Sequence, residues 1–583
     1  MHNITSKFIV ALCLGLSTCY GYAQQEKLLP KGFSPEEELL ISDFQFKNLT
    51  SVVNPPSGPV RTSAEWEEVE YLLIRWTSNF QNILRQIVQV GVNECKIIIV
   101  TQNQSSVSSY LSSFGIDLTN ISFLNVGSNS IWMRDYAGNT IYSNDVGQRA
   151  LVDWIYNRPR PLDDLIPSQH ANFLGLPIYI TDTGTNDLVN TGGNFMSDGL
   201  GNGFASELVL EENEAGNPYG VSPKTESEID NIMLNYMGIA NYIKMTALPY
   251  DGINHIDMHM KLLDEETILV SRYPDGVADG PQIEANIQYV LDNHLSVFGT
   301  PYDIQWVDAP PSVSGLYPDN GGYYRTFTNS LILNKSIIVP TYRPEVDGQA
   351  LALYQELMPG YTIVGIDVDN SGENLISLSG AIHCITHTIG VADPLLIVHQ
   401  PIEEVVNGST LTVNAMIKHN SGVNQAKVFW RQEGTSTFNE SSMIFVSGDN
   451  WTVDLPAAAG TYDIDYYIWA ESSSGKELTR PLVAPQGYWT TEVSTLSLDE
   501  WAEINISGPY PNPTTGKVSF NLNQIPGSVQ VSVVNTLGQI LFEKDLSNCN
   551  GVIELQMNTS WNGMLYVIFE GEFGRVTKKL VKI

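Results

Sequence analysis

Cysteine is scarce in this chain, five residues in 583, and two of them, Cys13 and Cys19, fall in a leader-like N-terminus. The remaining Cys95, Cys384 and Cys549 are too few and too scattered for a disulfide framework. Being odd in number, they leave at least one thiol unpaired within a monomer. Positive charge is also short: 30 Lys and Arg stand against 64 Asp and Glu, a formal net charge of −34. A surface of that sign repels nucleic acid and draws cationic ligands, so a basic substrate is favoured over a polyanion. No low-complexity tract or evident internal repeat is found. With 43% hydrophobic and 16% charged residues, the composition is that of a folded protein. Its length exceeds what one hydrophobic core serves, so several domains are expected.

Long apolar runs are missing as well, which argues against any transmembrane segment. The single short run, Phe8-Ile-Val-Ala-Leu-Cys-Leu-Gly-Leu16, follows Lys7 and precedes Gly21-Tyr-Ala23. It falls short of the ~20 residues a spanning helix needs. A basic start, a brief apolar stretch and a small-x-small site predict a secretory signal peptide over residues 1–23. Residues 24–60 form a polar N-terminal segment that ends near the turn Pro55-Pro-Ser-Gly-Pro59.

Residues 61–393 alternate between two periodicities. Residues 79–90 space Phe80, Ile83, Leu84, Ile87 and Val88 as a helix does, and Lys96-Ile-Ile-Ile-Val100 reads as a buried strand. The rhythm returns with a strand at 268–270, a helix at 283–295 and a strand at 304–306. It returns again with a strand at 331–339, a helix at 349–357 and a strand at 362–364. An α/β domain follows, either one continuous sheet or a propeller of small α/β units. After about residue 393 only period-two alternation remains. Two all-β sandwich domains are expected, over 396–495 and 504–583.

Three patches of the α/β region carry chemistry: Ile131-Trp-Met-Arg-Asp-Tyr136, Asn254-His-Ile-Asp-Met-His-Met260 and Gly380-Ala-Ile-His-Cys-Ile-Thr-His387. Together they supply a thiol, a histidine and two carboxylates, an inventory suited to a guanidinium. Asp135 and Asp257 can hold its edge nitrogens by charge-assisted bonds, and Trp132 can stack on its face. Cys384 can then attack the carbon thus positioned, with His255 protonating the departing ammonia and activating water. Other readings stay open at this point. Cys384 and Trp132 suit a core, and Asp135 suits a solvated turn. In an extended segment, His255, Asp257 and His259 share one face and suit a metal. Cys384 with His255 also suits a cysteine peptidase, and the whole suits a non-catalytic surface-binding protein on a dead scaffold.

Resemblance narrows these. Glu65-Trp66, Trp132-Met-Arg-Asp135, Thr191-Gly-Gly-Asn194, His255-Ile-Asp257, Thr328-Asn-Ser330 and Gly380-Ala-Ile-His-Cys384 resemble, in order, the motifs of the agmatine deiminase and bacterial peptidylarginine deiminase family. The resemblance implies a five-bladed α/β propeller (pentein) with the site at its centre. It implies catalytic roles for Cys384, His255, Asp135, Asp257 and Asn329, and neither catalytic metal nor cofactor. Met258-His-Met260 departs from the Cys-Trp-Gly of the peptidylarginine enzymes.

The run Tyr156-Asn-Arg-Pro-Arg-Pro161 bears on the substrate. Proline stiffens an extended presentation of Arg158 and Arg160 on one side, and arginine is the side chain best suited to a carboxylate. The run resembles the loop with which bacterial peptidylarginine deiminase grips a terminal carboxylate. Arginine-containing peptides or proteins, especially those ending in arginine, are therefore expected as partners, with agmatine or free arginine as the alternative. Gly508-Pro-Tyr-Pro-Asn-Pro513, Asn535-Thr-Leu-Gly-Gln539 and Lys578-Lys-Leu-Val-Lys-Ile583 resemble the C-terminal sorting domain of type IX secretion, and 396–495 resembles an immunoglobulin-like domain. The resemblance implies export to the cell surface or medium, with the type IX machinery as a partner. Asp367-Val-Asp-Asn-Ser-Gly372 has the look of a calcium loop, but Leu378 stands where the twelfth-position Glu belongs, so a turn is expected.

Overall fold

The computed structural model describes residues 28–41, 43–46, 54–182, 184–456, 462–494, 505–523, 527–536, 538–547, 551–571 and 574–583. The expected signal peptide and Cys549 lie outside the described residues. The chain divides into two compact units, Met1–Leu396 and Ile397–Ile583. Among the described residues, no helix is long and apolar enough to cross a membrane.

Among the described residues, the first unit is mixed α/β and holds five small sheets rather than one continuous sheet. All five follow one plan, in which an antiparallel pair of strands, a local hairpin in four of them, is followed by a helix and then a strand parallel to the pair's second arm. Parallel neighbours need a long crossover, which the helix supplies. Met260–Leu262, Thr267–Arg272 and Asp303–Asp308 form one such sheet, with helix Gly280–Asn293 as the crossover. Leu331–Leu333, Ser336–Thr341 and Thr362–Asp367 repeat it with helix Pro344–Leu357. Met196–Ser197, Asn202–Ser206 and Asn241–Met245 use helix Glu226–Met237, and Asn139–Ser143, Arg149–Asp153 and Ile178–Ile180 use Ile166–Leu174. In the fifth sheet, Thr386–Gly390 pairs with Val69–Arg75, so the end of the region closes on its beginning. Helix Gln81–Glu94 then leads to the parallel strand Lys96–Val100.

Local sequence accounts for these elements. Helix Gln81–Glu94 buries Ile83, Leu84, Ile87, Val88 and Gly91 along one stripe. Gly91 belongs there because a Cβ would come 2.9 Å from Leu72 Cδ2. Helix Glu226–Met237 starts at a Thr225/Glu228 capping box and stops at Gly238, whose φ of 71° is left-handed. One expectation is corrected. Residues 331–339 are not a single strand but a hairpin, Leu331–Leu333 and Ser336–Thr341, folded at Asn334 with φ 51°. Asparagine tolerates that conformation without glycine, so the turn carries no glycine signal in the sequence.

The second unit is all β in its sheets. Leu411–His419 alternates buried and less buried residues along its length, as Lys517–Leu522 and Ser528–Asn535 do over most of theirs. Strands between Glu404 and Ser494 belong to two sheets, and strands between Ile506 and Lys582 form two more. In the latter, Phe520 and Phe569 meet edge to face at 5.0 Å within a core that includes Val529, Val531 and Val533.

Candidate active site

The repeated plan concentrates the chemistry. Ahead of each hairpin lies a tight turn, and the candidate residues sit in or beside these turns. Asp135 is in Met133–Tyr136, which leads into Asn139–Ser143, and the Gly192–Asn194 turn leads into Met196–Ser197. His255 caps and Asp257 lies within Ile256–Met258, ahead of Met260–Leu262. Asn329 precedes Leu331–Leu333, and Cys384 lies in His383–Ile385, ahead of Thr386–Gly390.

These turns converge. Asn329 Nδ2 donates to Cys384 Sγ at 3.1 Å and to the Asp257 carbonyl at 3.1 Å, and Asn329 Oδ1 accepts the His383 backbone N–H at 3.1 Å. Cys384 Sγ lies 3.4 Å from Asp257 Oδ2. His255 Nδ1 faces Asp135 Oδ1 at 3.5 Å. All five side chains are buried, Cys384, Asp257 and Asn329 completely. Neither Asp135 Oδ1 nor either ring nitrogen of His255 has a hydrogen bond among the described residues, although buried polar atoms ordinarily find partners. Trp132, Arg158 and Arg160 are buried as well. Trp132 lies against Gly380, where a Cβ would come 2.3 Å from its ring, and its indole N–H donates to the Leu29 carbonyl.

Residues 59–389 match the family model of the Porphyromonas-type peptidyl-arginine deiminase, more than half of the chain. The chain belongs to that family. It is accordingly a deiminase, acting on guanidino carbon–nitrogen bonds. Residues 509–583 match the secretion system C-terminal sorting domain, which directs the deiminase to the cell surface or medium by type IX secretion. A Yersinia pseudotuberculosis protein that carries an agmatine deiminase name is 27% identical over 304 residues, 47% of this chain and 78% of its own length. The agmatine deiminase of Enterococcus faecalis aligns over 59% of this chain and 99% of its own, at 20% identity and a TM-score of 0.49. That of C. jejuni aligns over 57% and 96%, at 20% identity and 0.46.

Further charged residues surround the candidate site. His383 Nδ1 lies 2.9 Å from Asp257 Oδ2, and its Nε2 lies 2.6 Å from Glu65 Oε1. Glu65 also pairs with Arg134 at 3.1 Å and with Lys261. Burial opposes the charge on Glu65, but His383, Lys261 and Arg134 outweigh it and hold the carboxyl well below its usual range. Asp257 is likewise depressed against its burial, chiefly by the Lys31 ammonium and then by His383. Burial pulls His255 below the ordinary imidazole value, and the Lys31 charge adds to the effect. Burial, and then Asp257, push the Cys384 thiol up to about 12, with Lys31 acting the other way.

The extended arrangement that would have aligned His255, Asp257 and His259 does not form, because Ile256–Met258 is a turn. Asp257 is engaged instead by Lys31 and His383. The Asp367 loop is structural: Asp369 pairs with Arg325 at 2.7 Å, and Glu373 accepts the backbone N–H groups of Asn82 and Ile83. Sequence reasoning quoted Glu65, Arg134 and His383 inside motifs without giving them roles, and it passed over Lys31 entirely. The Ser34-x-x-Glu37 capping box just after Lys31 was the available signal that this segment is built.

Gly193 explains the Thr191-Gly-Gly-Asn194 motif. A Cβ there would stand 2.5 Å from His255 Nδ1 and 2.7 Å from Asp135 Oδ1. Gly193→Ala is therefore expected to displace both side chains and lower kcat by about 10²-fold. Circular dichroism and melting temperature should stay near wild type. Undiminished turnover would show that neither side chain needs its present position.

Proposed function

We propose that this deiminase converts the guanidinium of arginine, preferably a peptide's C-terminal arginine, to citrulline and ammonia through a covalent intermediate on Cys384, at the centre of a five-bladed α/β propeller. The observation that carries this reading is the cation already at the thiol. Lys31 Nζ lies 3.0 Å from Cys384 Sγ and 3.0 Å from Asp257 Oδ1. The pocket thus accepts the positively charged tip of a long side chain between a carboxylate and the nucleophile. Asp257 and Asp135 would hold the guanidinium edge, fixing its carbon before the sulfur. With the guanidinium bound, the Cys384 thiol proton passes to His255, the thiolate adds to that carbon, the C–NH₂ bond breaks, and His255 gives the proton on to the leaving ammonia. Water, deprotonated by the same histidine, then adds to the S-alkylthiouronium carbon. Collapse breaks the C–S bond, leaving citrulline and the restored thiolate. Asn329, donating to Cys384 Sγ, would stabilise negative charge on sulfur.

The peptide preference rests on Arg158 and Arg160. Arg160 holds a carboxylate in two-point fashion, with Nε 2.7 Å from Glu37 Oε1 and Nη2 3.1 Å from Oε2. Arg158 Nε donates to the Lys31 carbonyl at 3.3 Å, the group that in a C-terminal arginine would belong to the carboxylate. Agmatine has no such group. We assign residues 61–393 to the catalytic domain, 396–495 to an immunoglobulin-like domain and 504–583 to the sorting domain that engages the type IX machinery.

Citrulline and ammonia release should be measured from a peptide ending in arginine, a peptide with internal arginine, free arginine and agmatine. Both the intact chain and a chain cut at the exposed Ser57–Gly58 turn should be assayed. The C-terminal arginyl peptide should turn over fastest. Arg158→Ala should raise its KM by about tenfold or more while leaving agmatine unaffected. Activity on agmatine alone would remove the role given to the arginine pair, and no deiminated product from any substrate would overturn the arginine assignment.

A further inference from the structure

Residues 28–41 lie across the site with their polarity inverted. Lys31, Ser34 and Glu37 are buried, whereas Leu39 and Leu40 are 80% and 55% exposed. A core segment would do the opposite. What buries these polar groups is the substrate machinery itself. Lys31 Nζ donates to Asp257 and Cys384, and the Lys31 backbone N–H donates to the Leu378 carbonyl at 3.0 Å. Trp132 binds the Leu29 carbonyl, Arg158 the Lys31 carbonyl, and Arg160 the carbonyls of Pro30 at 2.8 Å and Gly32 at 2.9 Å. The Arg158 guanidinium lies 4.2 Å from the centre of the Phe33 ring. Ser34 caps the short helix Pro35–Leu40, which aims the Glu37 carboxylate at Arg160. Further along, Phe46 is buried with Ile155, Val189, Tyr219 and Val221.

Lysine is the residue such an occupant needs. It carries arginine's positive charge on a long flexible stem but has no guanidino carbon, so the thiolate finds no electrophile and no C–N bond to open. A fully buried ammonium is stable only with its counter-charge. Burial opposes the charge on Lys31, yet Asp257 and the Cys384 sulfur overcome it and hold its pKa above the usual lysine value.

We propose that residues 28–41 are a tethered pseudosubstrate that keeps the deiminase latent, with Lys31 in the position of the substrate guanidinium, and that cleavage between this segment and the catalytic region opens the site. The proposal rests on the reading of Cys384 and Asp257 as the guanidinium site.

The test is a site-specific protease sequence inserted between Ser57 and Gly58, in a turn exposed to solvent. The full chain is compared before and after cutting, with the released fragment removed by gel filtration. Two readouts are taken: citrulline from an arginyl peptide, and the rate at which iodoacetamide alkylates Cys384, followed by peptide mass spectrometry. Both should rise by about tenfold or more, since a tethered ligand acts at an effective concentration near millimolar. A synthetic peptide of residues 28–46 should inhibit the cut enzyme competitively, and its Lys31→Ala version should bind at least about tenfold more weakly. If the fragment stays bound after cutting, Lys31→Ala and Glu37→Ala in the intact chain make the same comparison. Equal turnover in the intact, cut and variant proteins would overturn latency while leaving the deiminase reading intact. Faster alkylation with no citrulline from any form would uphold the occlusion and overturn the arginine substrate. An alkylation rate that neither cutting nor the two variants change would overturn the proposal whatever the turnover.

Discussion

Cys384→Ala is expected to lower citrulline formation by about 10⁴-fold or more, because no other group near the guanidinium position can form the covalent intermediate. Peptide binding should survive, since Asp257, Arg158 and Arg160 remain. The thiol's environment adds a pH signature. Burial and Asp257 raise Cys384 to about 12 even with Lys31 beside it, so at neutral pH the site holds a thiol, and more so once that cation is removed. A neutral reagent such as iodoacetamide should therefore react about tenfold faster for each pH unit gained across the neutral to alkaline range. A cationic reagent or substrate brings the charge that Lys31 supplies in the intact chain, and Lys31 acts to lower the thiol's pKa. A chloroacetamidine in the cut enzyme should show a shallower pH dependence than iodoacetamide. Parallel slopes for the two would mean that the substrate's charge plays no part in forming the thiolate.

How much of this was legible beforehand follows from which signals are local. Lys96-Ile-Ile-Ile-Val100 and the Ile83/Leu84/Ile87/Val88 stripe announce their elements because burial imposes a period on neighbouring residues. The fivefold reuse of one antiparallel pair–helix–strand plan left no such trace, since each copy need only keep its apolar pattern and not its residues. The six motifs were visible because each sits in a turn ahead of a strand, where a side chain or a missing Cβ must meet residues from another sheet. Gly193 shows this most sharply: nothing nearby in sequence requires glycine there, but His255 and Asp135 do. Lys31 was illegible for the opposite reason. Its partners Asp257 and Cys384 lie 226 and 353 residues away, and a lone lysine in a polar stretch is what any solvated segment contains. Only the fold, by bringing those partners to its amine, distinguishes it.

Asp257→Asn should cost about 10³-fold in kcat/KM, the scale set by leaving a buried cation without its counter-charge. The amide keeps the volume but loses the negative charge, and its NH₂ group must face either Lys31 Nζ or His383 Nδ1, both of which contact Asp257 oxygens. The substrate guanidinium would meet the same deficit, so turnover falls in the cut enzyme. The intact chain should respond in the opposite direction on a different readout. With Asp257 neutral, the buried Lys31 ammonium loses its principal partner, and the thiol loses the charge that, after burial, does most to raise it. The segment's hold should loosen, and Cys384 should be alkylated faster than in the intact wild type even as catalysis collapses. Divergence of the two readouts separates an electrostatic anchor shared by substrate and pseudosubstrate from a merely structural aspartate. A structural aspartate would lower turnover and the melting temperature together without uncoupling alkylation from catalysis.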